Sequence, residues 1–206
     1  MNPRRRMLMA TGALAGAATL WSRASLGGAI AQPAPHAQPA PHAQPAPHAQ
    51  PAPDAEPAPR RIALLNLHTG ERLEAEYFRD GAYLPDALAA LEVLLRDFRN
   101  GEKHVIDPQL MDYLTDVAAA MSVPAAYSVI SGYRSPETNE RLHERSSGVS
   151  QRSLHMQGRA IDVRMTGRDC ADLAASARGL MRGGVGYYRA SNFVHLDTGA
   201  FRTWRG

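Results

Sequence analysis

Two histidines and two aspartates stand close to one another near the end of the chain, in a pattern suited to metal binding. The segment SLHMQGRAIDVRM contains His155 and, seven residues later, Asp162. The later segment FVHLD contains His195 and Asp197. Two imidazoles and one carboxylate suit a catalytic Zn²⁺, with a fourth position for a water whose pKa zinc lowers toward about 7. Such spacing also arises by chance, so the spacing alone does not establish a zinc site.

A strand predicted over residues 160–165 must present Asp162 to these partners. Side chains alternate along a strand, so the apolar residues of this segment share the face opposite Asp162 and can pack on helices. These apolar residues are Ile161, Val163 and Met165. Asp162 then faces a cleft or solvent, and the pattern does not force its carboxylate to be buried. Gly158 permits a sharp reversal that would return His155 over Asp162.

The order of several motifs resembles a known family. SLHMQGRAIDVRM is similar to the S-x-H-x-x-G-x-A-x-D motif of the M15-type zinc D-Ala-D-Ala peptidases. Together, LNLHTGE, SGYRSPETNERL and GGVGYYRASNFVHLDTG resemble the DUF882 branch of that family, which is murein endopeptidase K-like. The resemblance runs in order across residues 60–206. It implies a hedgehog/DD-peptidase fold and a zinc peptidase acting on peptidoglycan stem peptides.

The resemblance also assigns roles to individual residues. It makes His155, Asp162 and His195 the zinc ligands. It makes Arg134, in the GYRS motif, the arginine that holds a substrate carboxylate or polarises the scissile carbonyl, which agrees with the bidentate grip of a guanidinium. It gives Ser153 a role either in binding substrate or in orienting His155. Surface pairing of Arg134 and loop capping by Ser153 are the alternatives.

One position departs from the family pattern. Classical M15 enzymes carry a glutamate three residues before the last histidine, as the general base, whereas this chain has Asn192 there. An amide cannot accept a proton at neutral pH. Asp197 shares a predicted strand face with His195, so it is either the base or a carboxylate that orients an imidazole. The missing glutamate leaves room for a zinc domain without catalytic activity.

The chain divides into three predicted parts. Residues 1–31 resemble a twin-arginine signal peptide, with three arginines ahead of an apolar run that is too short and too rich in Gly and Ala for a stable membrane span. Residues 32–59 repeat QPAPHA and predict an extended polyproline linker. Its histidines could bind metal or be carried along by repeat expansion. Residues 60–206 form the peptidase domain, expected in the periplasm.

Charge excludes one class of partner. Removing the four arginines of residues 1–31 from the 23 basic side chains leaves 19, against 20 acidic ones. A mature chain near neutrality does not support a nucleic-acid-binding surface.

The predicted fold class is α+β, with a small antiparallel sheet packed with helices. Helices are expected over residues 84–100 and 107–121, after Pro136, and over 168–182 with Gly183 and Gly184 as the cap. The predicted function is a zinc-dependent peptidoglycan endopeptidase that hydrolyses stem-peptide cross-links. A D-Ala-D-Ala-type carboxypeptidase and a non-catalytic zinc domain that binds the cell wall are the alternatives.

Overall fold

The computed structural model describes residues 57–146 and 148–206. The predicted signal peptide and nearly all of the predicted linker, with its histidines, fall in residues 1–56 and lie outside the described residues. Within the described residues, none of the helices has both the length and the apolar character that crossing a membrane requires.

The described chain contains eight strands and four α-helices. The strands are β1 (Arg60–Asn66), β2 (Arg72–Arg79), β3 (Ala82–Tyr83), β4 (Ala126–Ser131), β5 (Ala160–Met165), β6 (Gly184–Tyr188), β7 (Phe193–Asp197) and β8 (Arg202–Arg205). The helices are α1 (Pro85–Leu94), α2 (Pro108–Ala120), α3 (Pro136–Arg145) and α4 (Cys170–Leu180). A short 3-10 helix, Leu154–Gln157, interrupts the loop that was predicted before β5. The α+β class is therefore confirmed.

The strands form one sheet in the order β3-β2-β1-β4-β5-β7-β6-β8. Most neighbours are antiparallel, but β1 pairs with β4 and β6 pairs with β8 in parallel. The expectation of a small, wholly antiparallel sheet was therefore wrong. Parallel pairing needs a crossover connection, and here β2, β3, α1 and α2 intervene between β1 and β4 along the chain. Such long-range pairing leaves no local signal in the sequence.

The core lies between one face of this sheet and helices α2 and α4. Ile161 and Val163 of β5 are fully buried there, as the alternation predicted. Two buried tyrosines link these elements: Tyr113 of α2 donates to the Ala177 carbonyl of α4, and Tyr127 of β4 donates to the Leu114 carbonyl of α2. Asp162 lies on the opposite face of β5, which is not covered by these helices and faces the cleft.

Helix α1 is shorter than predicted and ends at Leu94 rather than near Asn100. The carbonyl of Leu94 accepts a hydrogen bond from the Asn66 side chain at 3.0 Å. The carbonyl of Leu95 accepts one from the Tyr133 amide at 2.7 Å. Donors from β1 and from the loop after β4 thus bind these carbonyls in place of helical amides. Helical periodicity in the sequence does not reveal such donors.

Helix α4 ends at Leu180, and its cap residue Met181 takes a left-handed conformation with φ of 50°. The predicted cap at Gly183 and Gly184 is therefore wrong. These glycines instead allow close approach to β7. A Cβ on Gly183 would lie 1.8 Å from the Asp197 carbonyl oxygen, and one on Gly184 would lie 2.2 Å from Asp197 Oδ2.

Candidate metal centre

Three potential ligand atoms converge on the cleft side of the sheet. His195 Nδ1 lies 2.9 Å from Asp162 Oδ1, and His155 Nε2 lies 3.4 Å from that same oxygen. The two imidazole nitrogens are 3.2 Å apart. Tetrahedral zinc with ligand bonds of about 2.0–2.1 Å separates its donors by roughly 3.3–3.4 Å. The donor set and its spacing therefore fit a zinc ion.

Strand pairing and one glycine bring these residues together. Asp162 of β5 is the register partner of His195 of β7. Gly158 ends the 3-10 helix with φ of 64°, which turns the chain so that His155 comes back over Asp162. A Cβ at Gly158 would lie 2.0 Å from the Val105 carbonyl oxygen, so only glycine fits there. Asp162 is 7% exposed, and hence more buried than its strand pattern required.

The remaining nitrogen of each imidazole is held by an oxygen that can only accept. His155 Nδ1 lies 2.7 Å from the Gly132 carbonyl oxygen, and His195 Nε2 lies 3.0 Å from Asp197 Oδ2. Each of these nitrogens therefore carries the proton and donates it. His155 Nε2 and His195 Nδ1 are left facing Asp162. In the neutral imidazole each of these nitrogens bears the lone pair, which is the arrangement that outer partners impose on metal-binding histidines.

Burial and charge set the protonation of the cluster. Burial lowers the pKa of His155, which favours the neutral, ligating imidazole. Burial also acts to lower the pKa of His195, but the carboxylates of Asp162 and Asp197 outweigh it and raise that pKa to about 9. Burial acts to raise the pKa of Asp162, yet the two imidazoles hold it well below its usual range. A cation entering the cluster therefore meets an ionised carboxylate and displaces a proton from His195.

The guanidinium of Arg134 lies beside this cluster. Its Nη2 atom is 3.7 Å from Asp162 Oδ2. Its hydrogen bonds to Asn139 and Ser131 are long, at 3.4 and 3.5 Å. Its buried Nε atom has no hydrogen-bond partner among the described residues. The guanidinium therefore keeps donor capacity for a carboxylate or carbonyl oxygen.

Ser153 directly precedes the 3-10 helix that carries His155 and lines the same cleft. Its side chain makes no capping hydrogen bond to that helix. The His155 imidazole is held by Gly132 O on one side and faces Asp162 on the other.

Asn192 and Asp197 lie in different surroundings. Asn192 is exposed in the β6–β7 turn with φ of 51°, and its carbonyl accepts from Arg164 Nε at 2.6 Å. Asp197 is fully buried behind His195 and is not among the residues that line the cleft. Burial acts to raise the pKa of Asp197, but hydrogen bonds from His195 and Arg202 hold it well below its usual range.

The cleft above the cluster has a volume of about 430 Å³. Among the described residues that line it, Asp162 is the one carboxylate. Its other distinctive side chains are three arginines and three aromatic residues: Arg134, Arg152, Arg202, Tyr188, Phe193 and Trp204. The cleft therefore combines positive charge with flat apolar surface, which suits a peptide that carries carboxylates.

The other histidines of the described chain lie elsewhere. His68 stacks on Phe98 at 3.8 Å between ring centroids. His104 stacks on Tyr133, and His143 lies 2.6 Å from the Val149 carbonyl oxygen. None of these three belongs to the His155 cluster.

Comparison with known proteins agrees with this geometry. Residues 54–204 match the peptidase M15 family described as peptidoglycan L,D-endopeptidase MepK. The match covers well over half of the chain. This chain belongs to the MepK family of M15 peptidases.

Relatives from two organisms illustrate the similarity to MepK. Peptidoglycan L,D-endopeptidase MepK of Escherichia coli strain K12 is 42% identical over 145 residues, which cover 70% of this chain and 80% of that protein. The probable peptidoglycan L,D-endopeptidase MepK of Haemophilus influenzae is 40% identical over 148 residues, which cover 71% and 80%. No solved structure matches the chain.

The sequence patterns did not reveal two residues that line the cleft, Arg202 and Trp204. Arg202 and Trp204 both belong to β8, the four-residue strand near the end of the chain. The segment RTWR is short and mostly polar, so it carries only a weak strand signal, namely one tryptophan in an alternating run. Its pairing with β6 is visible only in the folded chain.

Proposed function

We propose that the chain is a zinc-dependent peptidoglycan endopeptidase that hydrolyses stem-peptide cross-links. The observation that carries this proposal is the convergence of His155 Nε2, Asp162 Oδ1 and His195 Nδ1, with the other nitrogen of each imidazole held by an oxygen acceptor. Membership in the MepK family, whose relatives are named L,D-endopeptidases, supports an L,D cross-link as the bond that is cut.

Zinc is the metal that the donor set favours. Two imidazole nitrogens and one carboxylate oxygen leave one tetrahedral position open, as in catalytic zinc sites. When bound, zinc supplies Lewis-acid chemistry, because it polarises a carbonyl and lowers the pKa of water. The chain's own contribution is to direct His155 Nε2 and His195 Nδ1 inward and to keep Asp162 ionised.

Arg134 is proposed to bind the substrate. Its under-used guanidinium beside Asp162 can donate to a carboxylate of the stem peptide or to the oxygen of the scissile amide. The carbonyl oxygen of the scissile amide gains negative charge when its carbon is attacked, so a fixed cation at this position stabilises the transition state more than the ground state. Ser153, which lines the same cleft, is proposed to hydrogen-bond the peptide backbone.

Asp197 is proposed to orient His195 rather than to act as the base. It is fully buried, and its oxygens are occupied by donors from His195 and other groups behind the cleft. A general base must reach the proton that it removes within hydrogen-bond distance or through one water. Its buried position supports the orienting role, and the base role stays a separate hypothesis that Asp197→Asn tests.

We also propose export. The predicted twin-arginine signal in residues 1–31 and the polyproline linker in 32–59 would carry the domain to the periplasm and let it reach the cell wall. The hedgehog/DD-peptidase fold is likewise proposed, from the family resemblance and the α+β architecture.

A carboxypeptidase is the second candidate. The guanidinium of Arg134, whose Nε has no hydrogen-bond partner among the described residues, would bind the terminal carboxylate of a stem peptide equally well. A non-catalytic zinc domain is the third, since Asp162 is the one carboxylate lining the cleft among the described residues.

Digestion of purified muropeptides separates these functions. The purified chain is loaded with zinc and incubated with cross-linked and monomeric muropeptides, and products are identified by mass spectrometry beside His155→Ala. An endopeptidase converts cross-linked dimers to monomers, whereas a carboxypeptidase releases single D-alanine residues. A binding domain yields no product with either substrate, and this outcome would refute the enzyme function.

A further inference from the structure

The C-terminal strand β8 reaches the metal centre through a two-point ion pair. Arg202 Nη1 donates to Asp197 Oδ1 at 3.0 Å, and Arg202 Nη2 donates to Asp197 Oδ2 at 2.7 Å. This fork-on-carboxylate geometry is the strongest and most directional form of ion pair. It fixes the plane of the carboxylate as well as its position.

Asp197 passes this constraint directly to a proposed metal ligand. Its Oδ2 accepts from His195 Nε2 at 3.0 Å. Its Oδ1 accepts from the backbone amides of Gly184 at 3.1 Å and Gly199 at 2.8 Å. Together with the two donors of Arg202, these groups occupy both oxygens of the carboxylate. Asp197 therefore holds the His195 ring in a fixed position.

The backbone around this ion pair leaves no space for side chains. A Cβ at Gly184 would lie 2.2 Å from Asp197 Oδ2 and 2.6 Å from Arg202 Nη1. A Cβ at Gly199 would lie 2.9 Å from Asp197 Oδ1 and 3.1 Å from Arg202 Nη1. Glycines on both sides of the pair therefore let the backbone close around it.

Trp204 covers the same arrangement from the cleft side. Its ring centroid lies 5.2 Å from that of His195, and the guanidinium carbon of Arg202 lies 5.0 Å from its ring centroid. Its Nε1 donates to the Tyr188 hydroxyl at 3.0 Å. A Cβ at Gly186 would meet this indole at 2.5 Å, so β6 also leaves room for it. The indole thus restricts both the guanidinium and the imidazole that Asp197 joins.

We propose that Arg202 is a positioning residue of the metal centre, which acts through Asp197 to hold the His195 ring in its ligating orientation. The inference rests on the proposed function, because it assumes that His195 binds zinc. It assigns the C-terminal strand a part in metal binding rather than only in closing the edge of the sheet.

Zinc affinity tests this role in the full chain. Zinc dissociation constants are measured by competition with a chromophoric chelator for wild type, Arg202→Ala, Arg202→Lys and Arg205→Ala. Loss of an outer partner of a metal ligand typically costs 10–100-fold in metal affinity or activity. We expect about a tenfold weaker affinity for Arg202→Ala, at the low end because Arg202 acts through Asp197, and partial recovery for Arg202→Lys, which keeps the charge but not the fork.

Arg205→Ala is the matched control, since Arg205 is an exposed arginine on the same strand. It should bind zinc as wild type does. The double variant Asp197→Asn with Arg202→Ala should bind zinc no more weakly than Asp197→Asn alone, because the two residues act as one unit.

Kinetics at saturating zinc complete the test. We expect a lower kcat and a nearly unchanged KM for Arg202→Ala. Unchanged zinc affinity with a raised KM would overturn the inference and make Arg202 a substrate contact. If Arg202→Ala fails to fold, Arg202→Lys with wild-type zinc affinity would overturn it equally. A wild-type chain that binds no zinc would instead refute the proposed function on which the inference rests.

Discussion

Asp162 on β5 and His195 on β7 are direct register partners, and Asp162 Oδ1 lies 2.9 Å from His195 Nδ1. The ladder of the sheet therefore fixes two of the three proposed ligands relative to each other before any metal binds. The third, His155, is added by the turn at Gly158. A site preformed in this way requires little reorganisation on metal binding.

Replacing Asp162 tests the anionic ligand. Asp162→Asn removes the charge and the best oxygen donor, and we expect zinc affinity to fall by more than about 100-fold, beyond the loss typical of outer partners. Chelator competition measures the loss. Asp116→Asn is the control, because Asp116 lies on α2, away from the cluster, and forms ion pairs with Arg60 and Arg182. Equal affinities for the two variants would remove Asp162 from the ligand set.

Replacing Arg134 tests substrate binding separately from metal binding. Arg134→Lys keeps the charge but loses the planar fork, and a charge-assisted hydrogen bond is worth about 1.5–3 kcal/mol. We therefore expect kcat/KM on muropeptides to fall by about 10–100-fold while zinc affinity stays unchanged. Arg96→Lys, at an arginine paired with Glu71, should leave both values as they are. Wild-type kcat/KM in Arg134→Lys would exclude a bidentate contact.

Replacing Asp197 separates its two possible roles. If Asp197 orients His195, Asp197→Asn should weaken zinc binding by about 10–100-fold and leave measurable turnover at saturating zinc. If Asp197 is the base, the variant should bind zinc normally and lose turnover. The buried position of Asp197 predicts the first result. Full zinc affinity without turnover would show that the base role is correct.

A buried carboxylate beside Arg134 predicts a pH dependence of stability. Asp97 accepts from the Ser135 amide and hydroxyl at 3.0 Å each and from the Arg99 amide at 3.1 Å. Burial acts to raise the pKa of Asp97, but these hydrogen bonds and one from Thr138 lower it below its usual value. The unfolded chain therefore binds this proton more readily, so the stabilisation is present above a pH of about 4 and is lost as the pH falls below it.

Urea unfolding of the metal-free chain at several pH values measures this effect. As the pH falls below about 4, the free energy of unfolding of wild type should fall more steeply than that of Asp97→Asn. Identical slopes for the two proteins would show that Asp97 contributes nothing to acid sensitivity.

Local patterns predicted much of the site. Alternation in residues 160–165 placed Ile161 and Val163 in the core and Asp162 on the other face, and Gly158 indicated the turn that returns His155. These features depend on neighbours within a few residues, which is the range over which sequence patterns carry information.

Long-range contacts account for what the sequence did not reveal. The burial of Asp162 depends on Arg134 and two histidines that arrive from other segments. The parallel pairing of β6 with β8, which delivers Arg202 and Trp204, depends on the last residues of the chain folding back along the sheet. Likewise, α1 ends early where donors from β1 and from the loop after β4 bind the carbonyls of Leu94 and Leu95.

Titration of zinc into the metal-free chain tests the central claim most directly. The rate of cross-link cleavage, followed by mass spectrometry of muropeptides, is measured against zinc bound per chain for wild type and His155→Ala. We predict that the wild-type rate rises linearly, levels off at one zinc per chain and starts from no detectable cleavage, while His155→Ala stays inactive throughout. Full cleavage by the metal-free chain, or equal rates for His155→Ala and wild type, would contradict a catalytic zinc at His155, Asp162 and His195.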